Sequence, residues 1–200
     1  MLFFKSLAVL STLAFGAISS LAAPAGTAET GLVARCDCNS LPNIIAVVKD
    51  DISVSVNALT YITKDNCTAE VITPIVADIK VKVSAAIGEV KKLAGQPFDV
   101  VIGANLDVNA FAAIVADLCV YIFAAIRVVL NLGVNLSVII PILCGLGEVV
   151  GALILAILNV CVGIFVGLDV AIFALLKVCV DVILKLNVSI FISVFGLVSV

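Results

Sequence analysis

Between residues 45 and 93 apolar side chains recur at helical spacing against a polar background. Ile45, Val48, Ile52, Leu59 and Ile62 fall on one face at intervals of 3, 4, 7 and 3, the stripe of an amphipathic helix. Ser40 stands where a capping residue belongs, and Pro42 is tolerated in the first turn. A second stripe, Ile72, Val76, Ile79, Val83, Ala86, Val90 and Leu93, alternates 4 and 3 without a break. Asp78 and Lys82 supply an i,i+4 ion pair on its wet side. Thr73–Pro74 marks the start of this second helix or a kink near it, and Gly95 with Pro97 ends it. The turn Lys64–Asp65–Asn66–Cys67 is short, so residues 40–96 are predicted to form an antiparallel helical hairpin. A 3,4 stripe of this kind points to a bundle core ahead of a membrane-lying face.

After residue 100 the pattern changes character. Long apolar segments lie near 109–131, 136–157, 160–185 and 188–199. Arg35 to Asp99 carries 15 charged residues, whereas Val100 to Val200 carries eight: Asp107, Asp117, Arg127, Glu148, Asp169, Lys177, Asp181 and Lys185. Val128–Gly147 and Val149–Leu168 are two charge-free stretches of 20 residues separated only by Glu148. Each is long enough for a bilayer core of about 30 Å. They differ from ordinary spans, because Asn131, Gly133, Asn135, Pro141, Gly145, Gly147 and Gly151 interrupt them. The connecting turns lack Lys and Arg, and no aromatic belt exists, Tyr61 and Tyr121 being the only tyrosines.

Lys177, Asp181 and Lys185 sit at i, i+4 and i+8. In lipid each central charge costs about 2.5–3.5 kcal/mol unless paired inside a bundle; on a wetted face the row costs nothing. The spacing therefore favours a helix with one wet face over a lipid-surrounded span, with a buried ionic relay as the sharper alternative. Val180–Val194 and Val134–Ile140 also alternate by twos and are rich in Val and Ile, which keeps a β reading of the C-terminal region open. The phrases VVLNLGVNLSV, AILNVCVGIFV and VILKLNVSIFI recur at intervals of 28 and 26 residues, like a degenerate repeat of helix, Asn-centred turn and helix. The expected class is all-α, an antiparallel helical hairpin followed by a hydrophobic helical bundle over residues 100–200. Membrane embedding of that second region stays open.

Composition sharpens the asymmetry. The 200 residues are 64% hydrophobic and 12% charged, against about 45–50% and about 25% in ordinary soluble domains, and the mean hydropathy is +1.35. That much apolar side chain is hard to hide in one core, so the surplus is expected to meet lipid, a partner chain or another apolar interface. A net charge of −3 leaves no basic stripe to neutralise phosphates, which argues against nucleic acid, so no nucleic-acid partner is expected. Histidine is absent, which removes the commonest general base and zinc ligand.

The first residues have the form of an export signal. Met1–Lys5 carries one positive charge, Leu7–Leu21 is apolar but broken by small residues, and plausible cleavage points follow Ala22 and Ala25. Residues 1–25 are therefore expected to be a signal peptide, with an uncleaved anchor as the alternative, and 26–39 a flexible arm. Arg35 is a weak processing signal.

Export makes disulfides the default for Cys36, Cys38, Cys67, Cys119, Cys144, Cys161 and Cys179. Cys36 and Cys38 are too close to bond each other easily, so each is expected to staple the arm to a different helix. A first helix of about 23 residues, ~34 Å long, keeps them from Cys67. The count is odd, which leaves one thiol free or bonded to another chain, while the last four cysteines serve equally well as small core hydrophobes. Without His or a CxxC pair, no metal site is expected. Asn66, Asn135 and Asn187 each open a glycosylation sequon; Asn66 lies in a polar turn, the other two in apolar sequence.

No catalytic residues emerge. Asp50 and Asp51 point about 100° apart on a helix, serines have no base, and Gly145–Leu146–Gly147 lacks the lysine and flanking pattern of a phosphate loop. No cofactor is implied.

The signal peptide, small-residue arm, cysteine-containing start, amphipathic hairpin and Val/Ile/Leu-rich tail together resemble the small secreted hydrophobic cysteine-containing proteins of filamentous fungi. The resemblance implies export without assigned activity and supplies no site residues. The eight-cysteine pattern of hydrophobins, with two Cys–Cys doublets, is missing; proteins of the hydrophobic-surface-binding type are a looser parallel, resting on residues 72–93. The expected function is that of a non-enzymatic secreted or cell-surface protein engaging lipid, membrane or another apolar surface, with self-association open. The alternatives are an integral protein of secretory-pathway membranes with two to four spans in residues 109–200, and a lipid-carrying helical protein.

Overall fold

A computed structural model of the chain describes residues 39–103 and 106–197. The signal peptide, all of the arm but Asn39, and Arg35, Cys36 and Cys38 lie outside the described residues. Among those described there are eight α-helices and no strand. They are α1 (Leu41–Thr60), α2 (Ala69–Lys92), α3 (Phe98–Val101), α4 (Val108–Asn131), α5 (Leu136–Cys161), α6 (Leu168–Leu176), α7 (Val180–Leu186) and α8 (Ser189–Phe195), with a 3-10 turn over Lys177–Cys179 between α6 and α7.

The N-terminal hairpin forms as its stripes predict. Each of the twelve residues of the two stripes is buried. Ser40 is the N-cap of α1, although its side chain makes no capping bond, and Pro42 sits in the first turn. Ser55 Oγ donates to Asp78 at 2.5 Å, and Lys82 Nζ donates to the Asp51 carbonyl at 2.9 Å and to Asp78 at 2.7 Å. Residue numbers thus rise along α1 as they fall along α2, the mark of an antiparallel pair. The start of α2 is Ala69 rather than Thr73–Pro74, so Pro74 lies inside the helix. Its exposed ring leaves the Glu70 carbonyl, which an N–H at position 74 would have bonded, facing water.

The second hairpin, α4 and α5, repeats the first 67 residues later. Both α1 and α4 begin at equivalent positions, as do α2 and α5, and Pro74 matches Pro141. The buried stripes superpose as well. Ile44, Val48, Ile52, Val56 and Leu59 correspond to Phe111, Val115, Cys119, Phe123 and Ile126; Ile72, Val76, Ile79, Val83 and Val90 correspond to Ile139, Leu143, Leu146, Val150 and Ile157. All are buried. The two hairpins lie side by side without axial shift. Lys49 pairs with Asp117, the Tyr121 hydroxyl meets the Ser53 carbonyl at 3.2 Å and Asn57 at 3.1 Å, and Asn135 Nδ2 donates to the Cys67 carbonyl at 3.1 Å.

A third layer, α6 to α8, covers the other side of the second hairpin, with α6 on α4 and α8 on α5. This arrangement explains why α4 and α5 bury apolar side chains on two sides, although Val128, Val138 and Leu155 stay exposed. A helix enclosed by neighbours on two sides needs no polar face, and these two are the middle layer of three. By length and composition alone, Val108–Asn131 and Leu136–Val160 would qualify as membrane spans; here they pack directly against helices with charged outer faces.

The apolar segment expected over 160–185 is not one helix. After Cys161 the chain turns through Val162–Gly167, where Gly163 and Gly167 take φ of +80° and +78°, and a second break occurs at Lys177–Cys179. Lys177, Asp181 and Lys185 therefore do not form a continuous row along one helix. All three are exposed, and Asp181 pairs with Arg127 of α4, which also donates to the Val178 carbonyl at the helix break. The segment near 188–199 shortens to α8. The stretches with two-residue alternation are helical or turn, and the three repeated phrases each cover a helix–turn–helix junction. Asn135 and Asn187 hold those turns in the left-handed conformation, with φ of 50° and 54°, while Asn159 is helical and glycines serve instead.

Candidate apolar contact surface

Turns are ordinarily built from Gly, Pro, Asn, Asp and Ser. The polar turn Tyr61–Thr68 follows that rule. The α5–α6 turn does not, since none of Val162–Leu168 carries a polar side chain. Two glycines with positive φ give it its shape, and Ile164 N–H and Phe165 N–H both donate to the Cys161 carbonyl, at 2.9 and 3.2 Å. Inward, Leu168 is buried, and Phe165 stands edge-on to Phe98 and stacked on Phe111, each with ring centroids 5.8 Å apart. Outward, Val162, Val166 and Val170 are 77%, 95% and 66% exposed, with the exposed Phe98 next to them across the Phe165 ring.

Two shallow grooves flank this turn. One, of about 170 Å³, is lined by Leu158, Cys161, Val162, Phe165, Leu168 and Asp169; the other, of about 130 Å³, lies between Asp169, Val170, Phe173, Val194 and Phe195. A third, of about 140 Å³, opens between α1 and α2 beside Val47, Lys82 and Glu89. Each is smaller than the range of about 300–1,000 Å³ typical of small-molecule sites.

The five described cysteines are free thiols; the disulfides expected of Cys67, Cys119, Cys144, Cys161 and Cys179 are not formed among them. Cys67, Cys119, Cys161 and Cys179 are part of the buried core instead, and Cys144 is half-buried. Cys119 fills on α4 the place that Ile52 fills on α1, and Cys67 is buried beneath the Val134 carbonyl. Burial raises the thiol pKa of all five, that of Cys161 to about 12.

The three sequon asparagines are all exposed, including the two in apolar sequence. Asn66 Oδ1 accepts from Thr63 N–H at 2.7 Å, leaving its Nδ2 outward, whereas the Nδ2 of Asn135 is bonded to Cys67. Asp50 and Asp51 are exposed on α1, and Gly145–Leu146–Gly147 lies within α5, where the missing side chain of Gly147 makes room for Val188. Among the described residues no three His, Cys, Asp or Glu side chains stand together as a metal site.

Two features were read from the sequence only in part or not at all. The phrase AILNVCVGIFV marked a turn here but centred it on Asn159, whereas the chain turns at Gly163 and Gly167. The other is Glu148. Its carboxylate accepts from Ser189 N–H at 2.6 Å, Ser189 Oγ at 2.8 Å and Ile190 N–H at 3.3 Å, so it caps α8 in place of Val188, which has no capping group. Comparison of the chain with known protein families, with curated proteins and with solved structures finds no match.

Proposed function

We propose that this is a non-enzymatic secreted or cell-surface protein, of the style of small secreted hydrophobic fungal proteins, that engages lipid or another apolar surface through its C-terminal half. The observation that carries the reading is the outward apolar turn after α5. Layering accounts for the two buried sides of α4 and α5, but nothing in the fold requires Val162, Val166 and Val170 to face water, and exposed apolar clusters mark interaction sites.

Peripheral contact is favoured over spanning by the first layer. Lipid around α4 and α5 at their full depth would also surround the outer faces of α1 and α2, which carry Asp50, Asp51 and Glu89, and desolvating such charges is costly. The lipid-carrier alternative has less support, since the three grooves named above among the described residues are small.

Flotation of the purified mature chain with phosphatidylcholine vesicles tests the proposal. It predicts recovery with the vesicles. A protein that stays in the dense fraction, and also ignores detergent micelles and the air–water boundary, contradicts it.

A further inference from the structure

We infer that the α5–α6 turn, Val162–Leu168 with Val170 beside it, is the element that enters a bilayer, and that it does so end-on into lipid of no net charge. The inference rests on the lipid reading above and narrows it to one element and one lipid class.

Three observations point there. The first is construction: Phe165 and Leu168 fasten the turn to the core while Val162 and Val166 are held outward, so the tip enters lipid without loosening the bundle. The second is charge. Asp169 opens α6 beside the turn, Asp99 adjoins Phe98, and Asp107 stands one helical turn before Phe111, these being the two rings that Phe165 touches. Lys91 and Lys92 close α2 at the same end, with Lys92 paired to Glu89, so acidic groups outnumber basic ones there. Membrane elements that read anionic lipid rely on clustered basic residues; here an anionic surface meets like charge. The third is size. Val162, Val166, Val170 and Phe98 together offer on the order of 500 Å² of exposed surface, short of the about 800 Å² per partner of a stable protein interface. A protruding tip of that area suits a fluid surface better than a second copy of the chain.

The opposite end of the molecule agrees. Helix α5 starts beside the polar turn holding Lys64, Asp65 and Asn66 and ends at the apolar tip, so insertion leaves Asn66 and Asn135 in water, about 39 Å away along a helix of 26 residues.

The chain has no tryptophan, which makes Val166→Trp a single reporter. With phosphatidylcholine vesicles its emission is expected to shift to the blue and to be quenched by brominated lipid. Val54→Trp, on the exposed face of α1, is expected to show neither change. Val166→Asp is expected to weaken vesicle partition about tenfold, with an unchanged helical circular dichroism spectrum. Adding phosphatidylserine should leave binding equal or weaker. If the unsubstituted chain floats but Val166→Trp neither shifts nor is quenched, the turn assignment is overturned while the general lipid reading stands; if the unsubstituted chain does not float, both fall. Tighter binding to anionic vesicles, or concentration-dependent dimers abolished by Val166→Asp without vesicle binding, also overturns the inference.

Discussion

Glu148 of α5 and Ser189 of α8 are joined by two hydrogen bonds, from the serine N–H at 2.6 Å and its hydroxyl at 2.8 Å. The one charge between two 20-residue apolar stretches thus serves as the cap of a neighbouring helix, where a carboxylate also meets the positive end of the helix dipole. Glu148→Ala should cost about 1–2 kcal/mol and speed amide exchange at Ser189 and Ile190, with Glu148→Gln falling between. Denaturant unfolding and hydrogen exchange check this. If Glu148→Leu instead stabilises the protein, the carboxylate is not acting as a cap.

The same junction depends on two glycines. A Cβ on Gly151 would lie 2.9 Å from Ile190 Cβ and 3.2 Å from Phe191 Cδ2, and one on Gly147 would lie 2.6 Å from Val188 Cγ2. Gly151→Ala should therefore destabilise by about 1–3 kcal/mol through overpacking. Gly88, within α2, has nothing within 4 Å of such a carbon, so Gly88→Ala should stabilise by about 0.5–1 kcal/mol through helix propensity. Opposite signs in thermal melts are the expected result; equal effects would argue against α8 lying on α5.

How much of this was legible in the chain follows from where polar residues interrupt it. The stripe from Ile72 to Leu93 was readable to the residue, because Ile79, Val83 and Val90 stand between polar residues and the rest of the stripe keeps the same 4,3 spacing. In residues 160–185 no polar residue interrupts Val160–Leu168, and Lys177, Asp181 and Lys185 keep helical spacing straight across the 3-10 turn at Lys177, so neither break left a periodic trace. The contact of Glu148 with Ser189 spans 41 residues and has no local signature. Pro74 and Pro141, 67 residues apart, carried the signal of the duplicated hairpin, but shorter echoes in the Val/Ile/Leu-rich tail masked it. The expectation of surplus grease needs refining for the same reason: a three-layer stack gives α4 and α5 apolar neighbours on two sides.

Lys82, hydrogen-bonded to Asp78, and then Ser55 hold the Asp78 carboxyl below its usual pKa. A depressed folded value stabilises the fold above the unfolded value of about 3.9, and that contribution is lost as pH falls through the folded value. The stability difference between the wild type and Asp78→Asn should be level from neutral pH down to about 5 and shrink below about 4. A difference that grows toward acid would contradict the assignment.

Thiol reactivity reports on burial. Cys144 is half-buried, while Cys119, Cys161 and Cys179 are buried with raised pKa values, and the thiolate is the reactive form. Under native conditions at mildly alkaline pH, a maleimide should label Cys144 first and the other three only after denaturant. Peptide mapping that finds any two of these four joined by a disulfide would contradict the packing described.

Alkaline carbonate extraction of membranes from cells making the full chain addresses the central claim most directly. A bundle that touches lipid at its α5–α6 end, with α4 and α5 as the middle of three protein layers, is released into the supernatant. Retention in the pellet, alongside proteins known to span the bilayer, would mean that those two helices face lipid rather than α1, α2 and α6–α8.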